Sequence, residues 1–316
     1  MNHQPHPTRQ HDHQPHERSG SPDQHRVLDL DAEVFGDNLA AVLDLIAVPT
    51  ARSVVDLGAG TGAGSRLLRE RYPDATVKCI DNDPKMLELL RQQGFTVIAA
   101  DLDDGFPALA GSAMTADAVP VDLVWASSSL HHVTRPARLL SDVRQALSRG
   151  GVLAVVELAA LPRFLSHPGE ALLEQRCHAA AAAEGWNHYP DWTPVIEAAG
   201  FRVTQSEVTT TAPVTPAARE YAKEWFARFS YLAALTAEDR DAVANLLERL
   251  PDEIELEPCT TRTIWLATPD QTSHRSRTSP EPARPRQTCI RGPASGNGSV
   301  GEVPARGCRP SGAFRR

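Results

Sequence analysis

The run Val54-Val55-Asp56-Leu57-Gly58-Ala59-Gly60-Thr61-Gly62-Ala63-Gly64 constrains the fold of this chain more than any other segment. An apolar, β-branched stretch reads as a buried strand, four alternate glycines follow, and helical periodicity begins directly after them. Glycine permits tight backbone turning and lets a ligand approach the main chain closely. The segment therefore predicts a strand, a sharp turn and a helix in succession.

Short β-branched runs and longer helical periods then alternate along the chain, the pattern of an α/β domain with a parallel sheet. Strands are expected at 53–57, 76–81, 96–100, 121–126, 151–158, 202–208 and 263–268, which makes seven. Helices are expected at 28–47, 62–71, 84–93, 136–148, 170–184 and 193–199, and a long helical segment, 216–250, separates the last two strands. Asp83 reads as an N-cap before Pro84, and Gly94 and Gly150 read as helix stops.

The ends of the chain differ from its middle. Residues 1–25 hold six histidines among prolines and glutamines, and residues 269–316 are rich in Ser, Pro, Arg and Gly. Neither composition buries enough apolar area to offset ordering entropy, so both are expected to be disordered tails around a domain at 26–268. The irregular histidine spacing reads as a solvated tail rather than a metal site. Of 32 basic and 40 acidic residues, the first tail has 2 and 3 and the last has 9 and 3, leaving 21 against 34 for the middle. Such a surface repels a phosphate backbone, so a nucleic-acid partner is disfavoured. No apolar run approaches the length of a membrane span. The five cysteines lack paired short spacing, and the N-terminus lacks the apolar stretch of a secretory signal; both point to a reducing, cytoplasmic location. Oligomeric state is not written in the sequence.

Gly58, Gly60 and Ala63 also satisfy a dinucleotide-binding pattern, and Asp56 separates the two readings. A carboxylate at the strand end repels a pyrophosphate but gains a charge-assisted hydrogen bond from an ammonium group. S-adenosylmethionine carries that group, a sulfonium and no phosphate. Asp81, at the end of the second strand, is placed to accept from ribose hydroxyls, a role shared with nicotinamide enzymes. Asp101 ends the third strand, where its carboxylate suits the adenine amino group while Leu102 covers a ring face. A lone strand-end aspartate is more often a turn or capping residue. Three on successive strands beside a glycine turn point to a ligand at the carboxyl edge of the sheet.

In this order and spacing, Val55-Asp56-Leu57-Gly58-Ala59-Gly60-Thr61-Gly62, Ile80-Asp81-Asn82-Asp83, Ala100-Asp101-Leu102, the segment from Asp122 to Val133, and Leu147-Ser148-Arg149-Gly150-Gly151-Val152-Leu153 resemble the class I S-adenosylmethionine-dependent methyltransferases over roughly residues 30 to 268. The resemblance implies a doubly wound, Rossmann-like seven-stranded sheet in the order 3-2-1-4-5-7-6 with the last strand antiparallel. It implies a cofactor-binding set of Asp56, Gly58, Gly60, Gly62, Asp81, Asn82, Asp101, Leu102 and Ser127. Phe201-Arg202-Val203 and Ile264-Trp265-Leu266 are similar to the pair that closes such sheets.

The fourth strand ends Trp125-Ala126-Ser127-Ser128-Ser129. It lacks the Asn/Asp-Pro-Pro-aromatic turn of base and glutamine N-methylating enzymes, the magnesium-holding aspartate of catechol-type enzymes and the paired glutamates of arginine-modifying ones. What remains resembles the metal-independent branch acting on small molecules. His131 reads as a general base or a packing residue, His132 as packing, and Glu157 as a ligand for a substrate donor or as a capping or salt-bridging acid. Two insertions, 159–191 and 209–258, are expected to form a substrate lid. Trp186, His188, Tyr189 and Trp192 cluster in the first, with Tyr189 facing a ligand, whereas Trp225 and Phe229 read as core. A protein that holds S-adenosylmethionine without catalysis and a nicotinamide-dependent oxidoreductase are the competing classes.

Overall fold

The computed structural model describes residues 24–109, 120–186, 190–250 and 253–270. Of the predicted tails, residues 1–23 and 271–316 lie outside the described residues, as do His188 and Tyr189, whereas residues 24–25 open the first helix and Pro269 ends the last strand.

The chain opens with helix α1 (Gln24–Asp44), kinked at Phe35, and enters β1 (Ser53–Leu57), every residue of which is buried. There follow α2 (Ala63–Arg71), β2 (Thr76–Asp81), α3 (Pro84–Gln92), β3 (Thr96–Ala99), β4 (Val121–Ser127), α4 (Pro136–Ala146) and β5 (Leu147–Leu158). These five strands pair in parallel in the order β3-β2-β1-β4-β5. Asp83 caps α3 as expected, its carboxylate accepting from the Lys85 N–H at 2.7 Å with Pro84 in the first turn.

Beyond β5 come β6 (Arg163–Leu165), α5 (Pro168–Ala183), α6 (Thr193–Ala198), β7 (Phe201–Thr211), α7 (Pro216–Phe229), α8 (Ala237–Arg249) and β8 (Leu256–Pro269). β8 runs antiparallel between β5 and β7, so the principal sheet has the predicted order. An eighth strand, β6, joins it. β6 pairs with the start of β8 along the edge that β5 uses further on. Three residues are too few to display an alternating pattern. Their backbone is held instead by the buried Glu174 of α5, which accepts from Phe164 N–H at 2.8 Å and Leu165 N–H at 3.3 Å.

Several boundaries differ from expectation: α1 runs over Gln24–Asp44 rather than 28–47, and Gly150, read as a helix stop, lies inside β5. β5 begins at Leu147, within the predicted fourth helix, where Ser148 Oγ donates to Asp122 Oδ1 at 2.9 Å and draws the chain into the sheet. β7 and β8 extend as a long ribbon through threonine-rich stretches, with Thr209 and Thr261 hydroxyls 2.8 Å apart across the pair. The segment 216–250 is two helices, each with a threonine N-cap, Thr215 and Thr236.

Three buried clusters hold the molecule. One lies between α1, α2 and one face of the sheet, another between the opposite face and α4 and α6, and the third joins α5, α7 and α8 to β6 and the N-terminal half of α1. Trp225 and Phe229 belong to the third, as core. No helix among the described residues is long and apolar enough to cross a membrane.

Candidate functional site

The turn after β1 is built on backbone that requires glycine. Gly58, Gly60 and Gly62 have φ of 65°, 52° and 83°, in the left-handed region. A Cβ on Gly58 would stand 2.5 Å from Ser129 Cβ, so the turn after β1 and the turn after β4 touch with no room for a side chain. The amides of Gly58 and Ala59 donate to Ile80 O at 2.9 and 3.0 Å. Asp81 locks the turn from the side: Oδ2 accepts from Gly60 N–H at 2.8 Å and Oδ1 from Asp83 N–H at 2.9 Å. Ser128 is the one non-glycine residue at positive φ among the described residues, at 51°, and its N–H donates to Val156 O at 2.8 Å. Strained backbone of this kind concentrates at functional sites.

Two cavities meet at this turn, sharing Leu28, Gly58, Gly60 and Ser128. The larger, about 330 Å³, is lined by Asp81, Asn82, Met86, Asp101, Leu102 and His132. The smaller, about 90 Å³, is lined by Asp31, Asp56, Trp125, Ser127 and Arg262. The fold thus brings the sequence-derived set together around one cleft. Gly62 alone of that set lies behind it, as the N-cap of α2. Asp101 also has a capping role, Oδ1 accepting from Asp103 N–H at 2.9 Å.

Asp56 is 3% exposed. Burial pushes its carboxyl up to about 7, the Ser65 hydroxyl, donating to Oδ2 at 2.5 Å, pulls the other way, and the Asp81 charge adds to the rise. Ser65 Oγ also lies 3.2 Å from Cys79 Sγ, a thiol that burial pushes up to about 12. Asp56 therefore sits at a charge state that a cationic ligand would decide.

On the other side of the β4 turn, Glu157 is fully buried at the end of β5. Its Oε1 accepts from Leu130 N–H at 3.1 Å and His131 N–H at 3.3 Å, and its Oε2 lies 2.8 Å from His131 Nδ1. These bonds tie the carboxylate to the 130–132 turn, and neither Glu157 nor His131 is among the residues that line the two cavities. His131 and His132 rings lie 4.0 Å apart, and His132, whose imidazole is held below its ordinary range by burial and then by His131, lines the larger cavity.

Sequence reasoning did not single out Ser65, Ser128, Leu28, Asp31 or Arg262. An arginine two residues before the apolar run Ile264-Trp265-Leu266 was the one available signal for Arg262. Among the described residues no group of three or more His, Cys, Asp or Glu is arranged to hold a metal ion.

A family model described as a methyltransferase domain matches residues 55–155. The chain is 31% identical over 152 residues to the trans-aconitate 2-methyltransferase of Acidovorax sp. (strain JS42), covering 48% of this chain and 54% of that one. Against the enzyme of the same name from Delftia acidovorans (strain DSM 14801 / SPH-1) it is 35% identical over 150 residues, 42% of this chain and 53% of that one. The malonyl-[acyl-carrier protein] O-methyltransferase of Laribacter hongkongensis (strain HLHK9) is 33% identical over 135 residues, 39% and 42% of the respective lengths. The chain thus spans about half the length of the curated relatives it matches.

Proposed function

We propose that the chain is a class I S-adenosylmethionine-dependent methyltransferase that transfers the cofactor's methyl group to a small-molecule acceptor by in-line displacement without a metal ion, a reading supported by the methyltransferase-domain match over residues 55–155. The observation that carries this reading is the single cleft with Asp56 at one end and Asp81 and Asp101 at the other, folded around a glycine turn too tight for a Cβ.

The residues present fit the cofactor. The larger cavity suits the adenosine: Asp81 retains lone pairs for ribose hydroxyls beyond its two backbone donors, Asp101 would accept from the adenine amino group, and Leu102 and Met86 would supply apolar walls. Asn82 and the glycine backbone complete that end. At the smaller cavity, which Asp56 and Ser127 both line, Asp56 would accept from the ammonium group. When bound, the cofactor supplies a methyl group on a sulfonium leaving group, so the protein's task is chiefly to align and desolvate the reactants.

His131 is the general base of this reading. The Glu157 carboxylate, 2.8 Å from Nδ1, orients the imidazole and favours the tautomer with its proton on that nitrogen. Ser127–Ser129 present hydroxyls where a hard divalent ion would need carboxylates, which supports metal-free transfer. Trans-aconitate and a malonyl group are both acids, and relatives named for them support a small acidic acceptor here.

The test is incubation of the purified protein with S-adenosylmethionine and a panel of small carboxylic acids, phenols and amines, with and without EDTA. S-adenosylhomocysteine release that depends on an acceptor and survives chelation is expected. Retention of a nicotinamide cofactor by the purified protein, or activity restored only by magnesium, would overturn the reading or its metal-free half respectively.

A further inference from the structure

Arg262 is a buried cation to which the methyltransferase reading gives no task. It stands on β8 in register with Leu158 of β5 and Val208 of β7, and its side chain is 1% exposed. One terminal nitrogen donates to Asp31 Oδ2 at 2.5 Å, and Asp31 Oδ1 accepts from the Tyr221 hydroxyl at 3.0 Å. Three elements, α1, α7 and β8, thereby fix the position of the guanidinium. Its Nε–H is buried and meets no acceptor among the described residues.

The same is true of Trp125 Nε1–H. Both side chains line the smaller cavity, as does Asp56, so the cavity carries a cation and a neutral N–H donor as well as a carboxyl group. Buried donors without acceptors are costly, and a charged one more so. A role as counter-ion to Asp31 accounts for one N–H of Arg262 and leaves Nε unexplained. A pre-positioned guanidinium with a spare donor and a second spare N–H thus line one cavity of about 90 Å³, and two unpartnered donors call for a ligand with acceptor oxygens, which a carboxylate supplies.

We propose that Arg262, held by Asp31 and Tyr221, anchors a ligand carboxylate in the smaller cavity. The inference rests on the reading that the cleft takes S-adenosylmethionine, and it names the chemistry that cavity recognises. Two ligands bring a carboxylate there: the amino-acid head of the cofactor, whose ammonium group Asp56 accepts, and an acidic methyl acceptor.

Calorimetry on wild type, Arg262→Lys and Arg262→Met separates these sources. S-adenosylhomocysteine is compared with 5′-methylthioadenosine, which keeps the nucleoside and lacks the amino-acid head; malonate and trans-aconitate are then titrated with S-adenosylhomocysteine saturating. If the cofactor supplies the carboxylate, Arg262→Met weakens S-adenosylhomocysteine at least about tenfold and leaves 5′-methylthioadenosine unchanged. If the acceptor supplies it, S-adenosylhomocysteine affinity is unchanged and acid binding seen in wild type is lost in Arg262→Met. Arg262→Lys keeps the charge opposite Asp31, guards against misfolding, and is expected to recover only part of the affinity because it lacks the planar fork. Unchanged S-adenosylhomocysteine affinity in both variants, with no difference among the three proteins towards either acid, overturns the assignment. Failure of the wild type itself to bind S-adenosylhomocysteine would instead overturn the methyltransferase reading.

Discussion

Asp56 combines burial with a need for charge, and the conflict has a measurable pH signature. In the unfolded chain its carboxyl releases its proton near its ordinary value of 3.8, whereas in the ligand-free fold it holds the proton up to about 7. Between those values the folded state binds more protons, so the stability of the free protein falls as pH rises from about 4 to about 7 and then levels. A ligand ammonium needs the ionised form. S-adenosylhomocysteine affinity is therefore expected to rise with pH by up to about tenfold per unit below pH 7 and to level above it. Asp56→Asn should remove that dependence and cost about 1.5 to 3 kcal/mol of binding at neutral pH, read by calorimetry from about pH 5.5 to about pH 8.5. A flat wild-type profile over that range would take Asp56 out of the site. His131 is tested by turnover rather than by affinity. His131→Ala is expected to lower kcat by about a hundredfold or more with S-adenosylhomocysteine affinity unchanged, the range for a lost general base. Glu157→Gln, which keeps the shape but not the charge beside Nδ1, should lower kcat less and move the pH profile of kcat. Equal kcat in His131→Ala and wild type would assign catalysis to alignment alone.

The β1–turn–α2 unit shows how little freedom the elements leave at the cleft. Gly58→Ala would demand a left-handed backbone from alanine and place Cβ 2.5 Å from Ser129 Cβ, where both partners are tied to strands. A loss of more than about 2 kcal/mol of stability and of measurable cofactor binding is expected, with thermal melting and calorimetry as the readouts. At the other end of the molecule, Glu174→Ala strips two buried amides of β6 of their acceptor and should cost about 2 to 3 kcal/mol, with no change in cofactor affinity if the cleft is independent of β6. These elements also mark how far the sequence could be read. β1 and β2 were legible to the residue because β1 is a short buried run around Val54 and Val55, and β2 places the apolar Val77, Cys79 and Ile80 in a short stretch that ends at a turn-forming aspartate. β6 was not, since its three residues owe their pairing to Glu174. The start of β5 is masked because Leu147 continues the apolar period of the preceding helix and Gly150 resembles a stop, whereas the bond from Ser148 to Asp122 links residues 26 apart. In the site, the three strand-end aspartates were visible from their spacing behind the glycine turn. Glu157 stood open between substrate ligand and capping acid, and the fold gives it hydrogen bonds of the second kind. Arg262 became meaningful only when Asp31 and Tyr221, 231 and 41 positions earlier, were folded against it.

At the scale of the whole molecule, α1 couples the sheet, the cleft and the inserted helices. Its first half packs on α7 through Phe35 and the bond from Tyr221 to Asp31, its second half packs on the sheet through Leu39, Val42 and Leu43, and Leu28 lines both cavities. Near the kink, Asn38 Nδ2 donates to Thr210 Oγ1 at 2.5 Å, tying the helix to the β7–β8 ribbon. α1 is thus part of the binding cleft and of two of the three buried clusters. Every side chain in those clusters lies between Val27 and Ala267, and the last backbone bond of the ribbon region, from Asp270 N–H to Gly200 O, closes at 2.9 Å. Two deletions therefore have opposite expected outcomes. A chain trimmed to residues 24–270 keeps every one of these contacts, and its melting temperature and S-adenosylhomocysteine affinity should match the full chain, within about 2 °C for a domain of this size. Removing α1 as well takes away Leu30, Phe35, Leu39, Val42 and Leu43 and bares the surfaces they cover, a loss of five buried apolar side chains at about 1.5 to 3 kcal/mol each, which is as large as ordinary domain stability. That shorter chain should show no cooperative calorimetric transition and no binding. A trimmed 24–270 chain that melts more than about 5 °C below the full protein would mean that residues outside that span contribute to the fold, and the boundary drawn from the buried clusters would be wrong.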